Sequence, residues 1–394
     1  MTKTVRAAVM TSPGAIELQK FERPQIEPGA VLIKVLLSGI CGTDKHTFRG
    51  ETLQYAGTPH EREVQYPIIC GHENVGVIEE IGGSRTVFDS DGEALRVGDR
   101  VVPAANVVCG HCWYCRNGHP YYLCEQMDDY GNSLDAKSPP HLFGGWSELL
   151  YTLPGTNLFR VPDELPDEVA VLTEIMAVTH GFELARRLSP TPFGESVVVI
   201  GVGPLGMCHA IKARLLGCGP LIVVDVMASR VEMAADFGAS DGICSAGMSE
   251  EELVANIRDR TGGRGADIVL DCSGVPQTFT AALRMTRPGG TVVESGAFVD
   301  LGPVEVNPNS DICTRDVNVL GIGGETADSY KTSMALMGAN LNRMPLDRFV
   351  THRFSLDRAQ EAVELAQTDE ALKVVLDPQM GASAGGLASE LAGP

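Results

Sequence analysis

The chain has little of what would take it to a membrane or a nucleic acid. None of its apolar runs approaches the roughly 18 residues needed to cross a bilayer, and its opening stretch, MTKTVRAAVMTSPG, lacks the apolar core of a secretion signal. Basic residues are scarce. The 31 Lys and Arg stand against 51 Asp and Glu, and a formal charge of −20 repels phosphate backbones and anionic lipid unless a local basic patch intervenes; none is visible in the sequence. Neither a nucleic acid nor a membrane is expected as partner, and the cytoplasm is the expected location. Aromatic residues are also few, 6% against 44% apolar residues in all, a balance that suits an ordinary soluble α/β protein and gives no sign of a disordered or fibrous chain. Cysteine is the exception to this scarcity. There are 11, an odd number, and four crowd into residues 109–124, which suits metal thiolates better than a secreted disulfide framework.

At 394 residues the chain exceeds the size, about 250–300 residues, at which a single core stops growing, so two domains are expected. From residue 1 to about 175, short β-branched runs (VLIKVLL, NVGVIEEI, DRVVPAANVV) alternate with Gly- and Pro-rich connections and predict a twisted antiparallel β domain with long loops. After PTPFGE the pattern becomes strand, glycine turn and helix, repeated: SVVVIG then PLGMCHAIKARLLG, LIVVD then ASRVEMAADFG, ADIVLDCSG then PQTFTAALRMTRPGG, and finally TVVESGA. That alternation predicts a parallel, doubly wound sheet. Near residue 360 the amphipathic RAQEAVELAQ precedes KVVLDP, a strand expected to return to the first domain. The expected division is 1–177, 178–335 and 336–380, with the low-complexity GASAGGLASELAGP over 381–394 as a disordered tail.

In VVVIGVGPLG, Gly201, Gly203 and Gly206 have the GxGxxG spacing directly after an apolar strand and before a helix, with Pro204 and Leu205 between the last two glycines. A second strand ends in Asp225, nineteen residues beyond Gly206, where the dinucleotide fingerprint expects an acid. The first glycine permits the turn, the second lets pyrophosphate approach the backbone, and the third lets helix and strand pack closely, while the helix N-terminus offers its N–H groups. A carboxylate at 225 accepts hydrogen bonds from the adenosine ribose and repels a 2′-phosphate. NAD is therefore expected over NADP, with Arg230 close enough to work in the other direction.

In CGHCWYCRNGHPYYLC, Cys109, Cys112, Cys115 and Cys124 are spaced by two, two and eight residues. Four thiolates close a tetrahedral shell around zinc and leave no place for water, which makes a structural site. Bacterial ferredoxins also begin CxxCxxC, but their fourth cysteine follows after three residues and precedes proline; here it follows after eight and precedes Glu125. His111 and His119, inside the loop, are expected to be bystanders.

Two more stretches carry chemistry. CGTDKH, residues 41–46, crowds a thiol, a hydroxyl, a carboxylate, an amine and an imidazole together; ICGHENVG sets His72 beside Glu73, and TEIMAVTHGFE offers Glu174. Taken in order with the four-cysteine lobe and the glycine fingerprint, these motifs resemble the zinc-containing medium-chain dehydrogenase/reductase family over nearly the whole chain. The pattern is closest to the polyol/sorbitol and threonine dehydrogenase branch. The resemblance implies an α/β fold in two parts, a GroES-like β-rich catalytic domain and a Rossmann domain, with the active site between them. It also implies NAD and two zinc ions per chain, one catalytic and one structural. Cys41 and His72 become zinc ligands, Asp44 the partner that orients His72, Thr43 the hydrogen-bond partner of the substrate oxygen, and His46 the group that passes a proton onward through the cofactor ribose. Lys45 stands outside this core and is expected as a solvated loop lysine. Zinc would polarise an alcohol oxygen as a Lewis acid while the nicotinamide takes up hydride.

The chain departs from the ethanol-oxidising relatives, which complete the zinc shell with a second cysteine. AVLTEIMAVTHGFELA has none, and Glu174 stands in its place. Two shells follow: Cys41, His72 and Glu73 with a water held by Glu174, or Cys41, His72 and Glu174 with Glu73 behind. The fourth structural cysteine also comes one residue later than is usual in the family. Two insertions, RGETLQYAGTPHEREVQ and QMDDYGNSLDAKSPPHLFGGW, flank these motifs, and Arg49, His60, Arg62 and Trp146 are candidates for substrate contact. The expected activity is reversible oxidation of a secondary alcohol or polyol to a ketone, with a threonine-type amino alcohol or a primary alcohol as alternative substrate. A nicotinamide-binding protein without catalysis is a further alternative, against which the intact Cys41, Thr43, His46, His72 and Glu73 argue. VNVLGIGG is expected to supply a sheet edge for a homodimer or homotetramer.

Overall fold

In the computed structural model, which describes residues 4–58, 61–188 and 194–381, most strands belong to two large sheets. His60 and residues 382–394 of the expected tail lie outside the described residues. The first sheet is built on Val31–Gly39, buried along nearly its whole length except at Lys34. It pairs antiparallel with Glu73–Ile81 along one side and with Leu149–Thr152 and Lys373–Leu376 along the other. Arg100–Pro103 and Leu158–Arg160 extend one flank, and Val350–Phe354, parallel to Lys373–Leu376, closes the other. Residues 350–376 thus rejoin a sheet begun more than 300 residues earlier.

The second sheet is parallel throughout, in the order Asp241–Cys244, Leu221–Asp225, Val197–Ile200, Ala266–Asp271, Thr286–Glu294, Asn318–Gly321. Helices Pro204–Leu215, Ala228–Asp236, Glu250–Arg260 and Pro276–Met285 cover it. Burial on both faces explains why VVVI and LIVV read as unbroken apolar runs. This is the doubly wound arrangement that the strand–helix alternation predicts. Asn318–Gly321 lies at the sheet's edge with Val319 exposed, where the VNVLGIGG run was expected to present one.

Residues 177 and 335, the expected seams, fall within helices Thr173–Val178 and Ala327–Gly338, which pack against each other. The two sheets do not keep separate cores at this seam. Leu37, Val75 and Phe159 of the antiparallel sheet share one buried cluster with Met176, Met207, Val223 and Tyr330. Phe159 and Tyr330 stack with ring centroids 4.3 Å apart and planes 5° from parallel. Truncating such a ring in a filled core costs about 3–5 kcal/mol. Phe159→Ala is therefore expected to lower the urea midpoint of unfolding by a corresponding amount; an unchanged midpoint would show that this seam lies outside the cooperative core.

Candidate active site between the two sheets

Beyond Val31–Gly39 the chain turns into helix Gly42–Arg49, with Cys41 at its N-cap. Asp44, in the first turn, accepts the Cys41 N–H at 2.7 Å and the Gly71 N–H at 3.4 Å. One carboxylate thereby fastens together the two loops that carry Cys41 and His72. No hydrogen bond from Asp44 to the His72 ring is formed; the His72 Nδ1 lies 3.3 Å from the Asn132 side-chain nitrogen instead. Gly71 has φ +92°, and a Cβ there would come 2.4 Å from the Trp146 ring, so only glycine lets the loop lie on the indole. Trp146 itself is wholly buried. Its expected role in substrate contact is corrected, because the ring supports the His72 loop from inside the core.

These loops bring a sulfur of Cys41, a ring nitrogen of His72 and a carboxylate oxygen of Glu73 within 4.8 Å of one another. Glu174, in the first turn of Thr173–Val178, is buried near them but outside that group. Glu325 adds another buried carboxylate, accepting from Asn106 Nδ2 at 2.7 Å and from the Tyr330 hydroxyl at 3.1 Å. The Thr43 Oγ1 is buried without a hydrogen-bond partner.

Burial raises Glu174 well above the usual carboxylate range, and neighbouring Glu325 adds to it. Burial likewise raises Glu325 and Asp44. For His72 burial alone would act downward, but the negative charge of Cys41 and a hydrogen bond to it, followed by Asp44 and Glu174, hold the imidazole well above its ordinary value. Lys373 supplies the counter-charge that the sequence reading missed. It is wholly buried, forms an ion pair with the equally buried Glu73, and donates to the Ile40 carbonyl at 3.1 Å. Its signal in the sequence is a lysine heading the interior strand KVVL, since a buried amine requires an anion. Sulfur, imidazole nitrogen and carboxylate, brought together here, are the donors zinc takes.

Around this centre, the His46 Nδ1 meets Glu51 Oε2 at 2.6 Å and Arg49 Nη2 at 2.9 Å, with its side chain partly open to solvent. Arg49 is thus engaged with His46 and Glu51. Lys45 corrects its expectation as a solvated loop residue. It sits half-buried on the helix, where burial lowers its amine to about 8, with Cys41 opposing and Lys373, Arg230 and Arg49 reinforcing the drop. Arg62 lies over the Tyr55 ring, 5.0 Å from its centroid, and pairs with Asp129, which joins the two insertions to each other.

In the parallel sheet each glycine of the fingerprint does a different job. Gly201 has φ +78°, and a Cβ there would lie 2.7 Å from Ser273 Cα; at Gly206 it would lie 1.9 Å from the Gly201 carbonyl oxygen. At Gly203 it would meet only Arg230 Nη1, at 3.9 Å, so the backbone at the start of Pro204–Leu215 is open to a ligand and no side chain caps the helix. Asp225 is held by the N–H groups of Val202 at 2.8 Å and Met227 at 2.9 Å. Arg230 turns Nη2 toward the carbonyls of Ala371 at 2.6 Å and Thr368 at 3.2 Å, pinning the returning C-terminal segment. At the opposite end of these strands the fold gathers Arg258, Arg264, Arg287 and Arg315 around a surface concavity, a basic cluster that residues scattered along the chain do not reveal. Three of these guanidiniums are spent on the carbonyls of Arg284, Pro288 and Leu283.

The four cysteines of the lobe converge without a disulfide. Their Sγ separations include 3.6 Å for Cys109–Cys124 and 4.0 Å for Cys109–Cys115 and Cys112–Cys124. A tetrahedron of sulfurs about 2.3 Å from a central zinc has edges of roughly 3.8 Å. Backbone N–H groups of Cys115 and Glu125 draw the Cys112 thiol down to about 6, while burial pushes Cys115 up to about 12. His111 and His119 stay outside the cluster.

Residues 204–339 match the zinc-binding dehydrogenase family and residues 27–163 the alcohol dehydrogenase GroES-like domain. The L-threonine 3-dehydrogenase of Pyrococcus horikoshii is 32% identical over 95% of this chain and 99% of its own length. The chain belongs to the zinc-dependent alcohol dehydrogenase family. The 5-exo-hydroxycamphor dehydrogenase of Pseudomonas putida is 29% identical over 94% of this chain and 98% of its own. An alcohol dehydrogenase from Thermotoga maritima superimposes with a TM-score of 0.85 at 29% identity, covering 95% of this chain and 99% of that one. No described helix is long and apolar enough to cross a membrane. For a family member built this way, Cys112→Ser is expected to lower the zinc content by about one ion per chain and to speed proteolytic cleavage in the lobe; unchanged metal content would reject a closed four-thiolate site.

Proposed function

We propose that the protein oxidises a secondary alcohol or polyol to the corresponding ketone with NAD as acceptor, and runs the reverse reduction. The observation that carries this reading is Thr43 Oγ1, a buried hydroxyl with no protein partner in the first turn of the helix that Cys41 caps, in the cluster's own neighbourhood. A buried hydroxyl left unpaired costs free energy, and a substrate hydroxyl or carbonyl oxygen supplies the missing partner. Zinc and nicotinamide, when bound, contribute Lewis acidity at that oxygen and a hydride acceptor, respectively. Cys41, His72 and Glu73 would hold the metal in the proposed shell, a reading supported by their mutual convergence, and Glu174 would hold a water beside it. His46, in contact with Glu51 and open on one side, takes the proton outward.

The NAD preference is supported by Asp225, whose two oxygens are fixed by backbone amides, and by Arg230, whose Nη2 is engaged by the carbonyls of Thr368 and Ala371. The names of the threonine and hydroxycamphor relatives both denote secondary alcohols, which supports that substrate class. An amino alcohol is the second reading, favoured by the buried acids Glu174 and Glu325 near the centre. The exposed edge strand Asn318–Gly321 is the surface through which two copies would pair into a homodimer or homotetramer.

Thr43→Val is expected to lower kcat at least about 100-fold, the usual scale of a positioned proton-transfer group, while NADH binds as in the unmodified protein. Undiminished turnover on a panel of secondary alcohols would reject the role. For the metal shell, Glu73→Gln is expected to lose zinc to dialysis faster than Glu174→Gln; the reverse order would favour the shell completed by Glu174.

A further inference from the structure

We propose that Asn132 is the positioning residue for the imidazole of His72 and that Gln54 holds it in that role. The inference rests on the reading of His72 as a metal ligand and adds what orients it. A histidine that binds metal through one nitrogen carries a proton on the other, and that N–H needs an acceptor to fix ring and tautomer. Asp44 was expected to supply it, yet both its oxygens are occupied by the backbone amides of Cys41 and Gly71. The ring's Nδ1 faces the Asn132 carboxamide at 3.3 Å, and the other polar atom of that carboxamide lies 3.5 Å from the side-chain amide of Gln54. Both residues are buried, Asn132 6% and Gln54 1% exposed, so bulk water does not compete for either contact.

The oxygen and nitrogen of a carboxamide exchange places by a half-turn, and the neighbours decide between them. In the orientation placed, Asn132 presents nitrogen to the ring, which suits a His72 that is protonated on Nε2. A ligand bonded through Nε2 requires the half-turn. Asn132 then accepts from Nδ1–H through Oδ1 and donates through Nδ2 to the Gln54 oxygen, leaving one Gln54 amide atom without a protein partner, as in the orientation placed. Gln54 and Asn132 belong to the two insertions, which the Arg62–Asp129 pair ties together. Gln54 also bridges to Val299 of the nucleotide-binding half, and Leu53 accepts the Asp300 N–H at 3.4 Å. The orientation of the His72 ring is thus fixed by loops that the other half of the molecule touches.

The test is zinc competition with a chelator on the full-length protein, together with the visible absorption of the cobalt-substituted form. His72→Ala serves as control and is expected to lose the more weakly held zinc. Asn132→Leu is expected to weaken that zinc by about 10–100-fold and to change the cobalt bands, Gln54→Leu to do the same less severely, and Asn132→Asp, which keeps an acceptor, to restore both to near the starting values. Wild-type zinc affinity in Asn132→Leu alongside loss in His72→Ala would overturn the inference and leave the ligand reading standing. Asn132→Asp as impaired as Asn132→Leu would equally overturn it. Zinc retained by His72→Ala would overturn the reading of His72 as ligand and the inference with it.

Discussion

The arrangement depends on the ion pair between Lys373 and Glu73, both wholly removed from solvent. Taking either charge out of water alone costs several kcal/mol, and removing one partner of such a pair typically costs about 3–5 kcal/mol. Glu73 heads the strand that follows His72, whereas Lys373 arrives almost at the end of the chain, on a strand that pairs with Val31–Gly39. The return of the C-terminal segment is therefore an electrostatic requirement as well as a topological one, because the carboxylate next to His72 is neutralised only when Lys373–Leu376 is in place. Gly39 is the steric counterpart, since a Cβ there would fall 2.0 Å from the Glu73 oxygen.

The same economy of position appears at the seam between the sheets. Helix Thr173–Val178 contributes Glu174, and helix Ala327–Gly338 contributes Tyr330, which receives the Ala105 N–H at 2.9 Å and binds Glu325. Because these helices are packed into a core shared by both sheets, the acids around His72 are held by tight packing and not by exposed loops. A side chain locked by close-packed neighbours has few alternative rotamers, which is what a metal shell made from distant parts of the chain needs.

Much of this was legible in the sequence, and the exceptions have physical reasons. The glycine fingerprint and the cysteine lobe encode their geometry locally, so Gly201, Gly203, Gly206 and the four thiols could be read from spacing alone. Cys41 joined His72 and Glu73 as a group through resemblance to a family, because it lies about thirty residues before them on a different segment. Lys373, Asn132 and Gln54 were missed for another reason. Each acts through a partner tens to hundreds of positions away, and an isolated Asn or Gln in a polar loop has no periodicity to mark it as buried. Trp146 and Lys45 were misjudged because burial in a loop-rich region follows from long-range packing, here the Gly71 backbone against the indole and the helix that carries Lys45 at the cleft.

Insertions are commonly treated as mobile decoration on a rigid scaffold, but here the two are built as structural members. Tyr55 adopts φ +52°, its ring meets Phe298 edge-on with centroids 5.1 Å apart, and Arg62 lies across its face. A non-glycine residue held in the left-handed region persists only where its surroundings over-determine it, and these contacts supply that. Phe298 comes from the nucleotide-binding half and Tyr55 from the catalytic half. The cleft is thus spanned by a bridge whose catalytic side leads through Gln54 and Asn132 to His72, so a change of sequence at the bridge acts on the metal centre through orientation without touching a ligand.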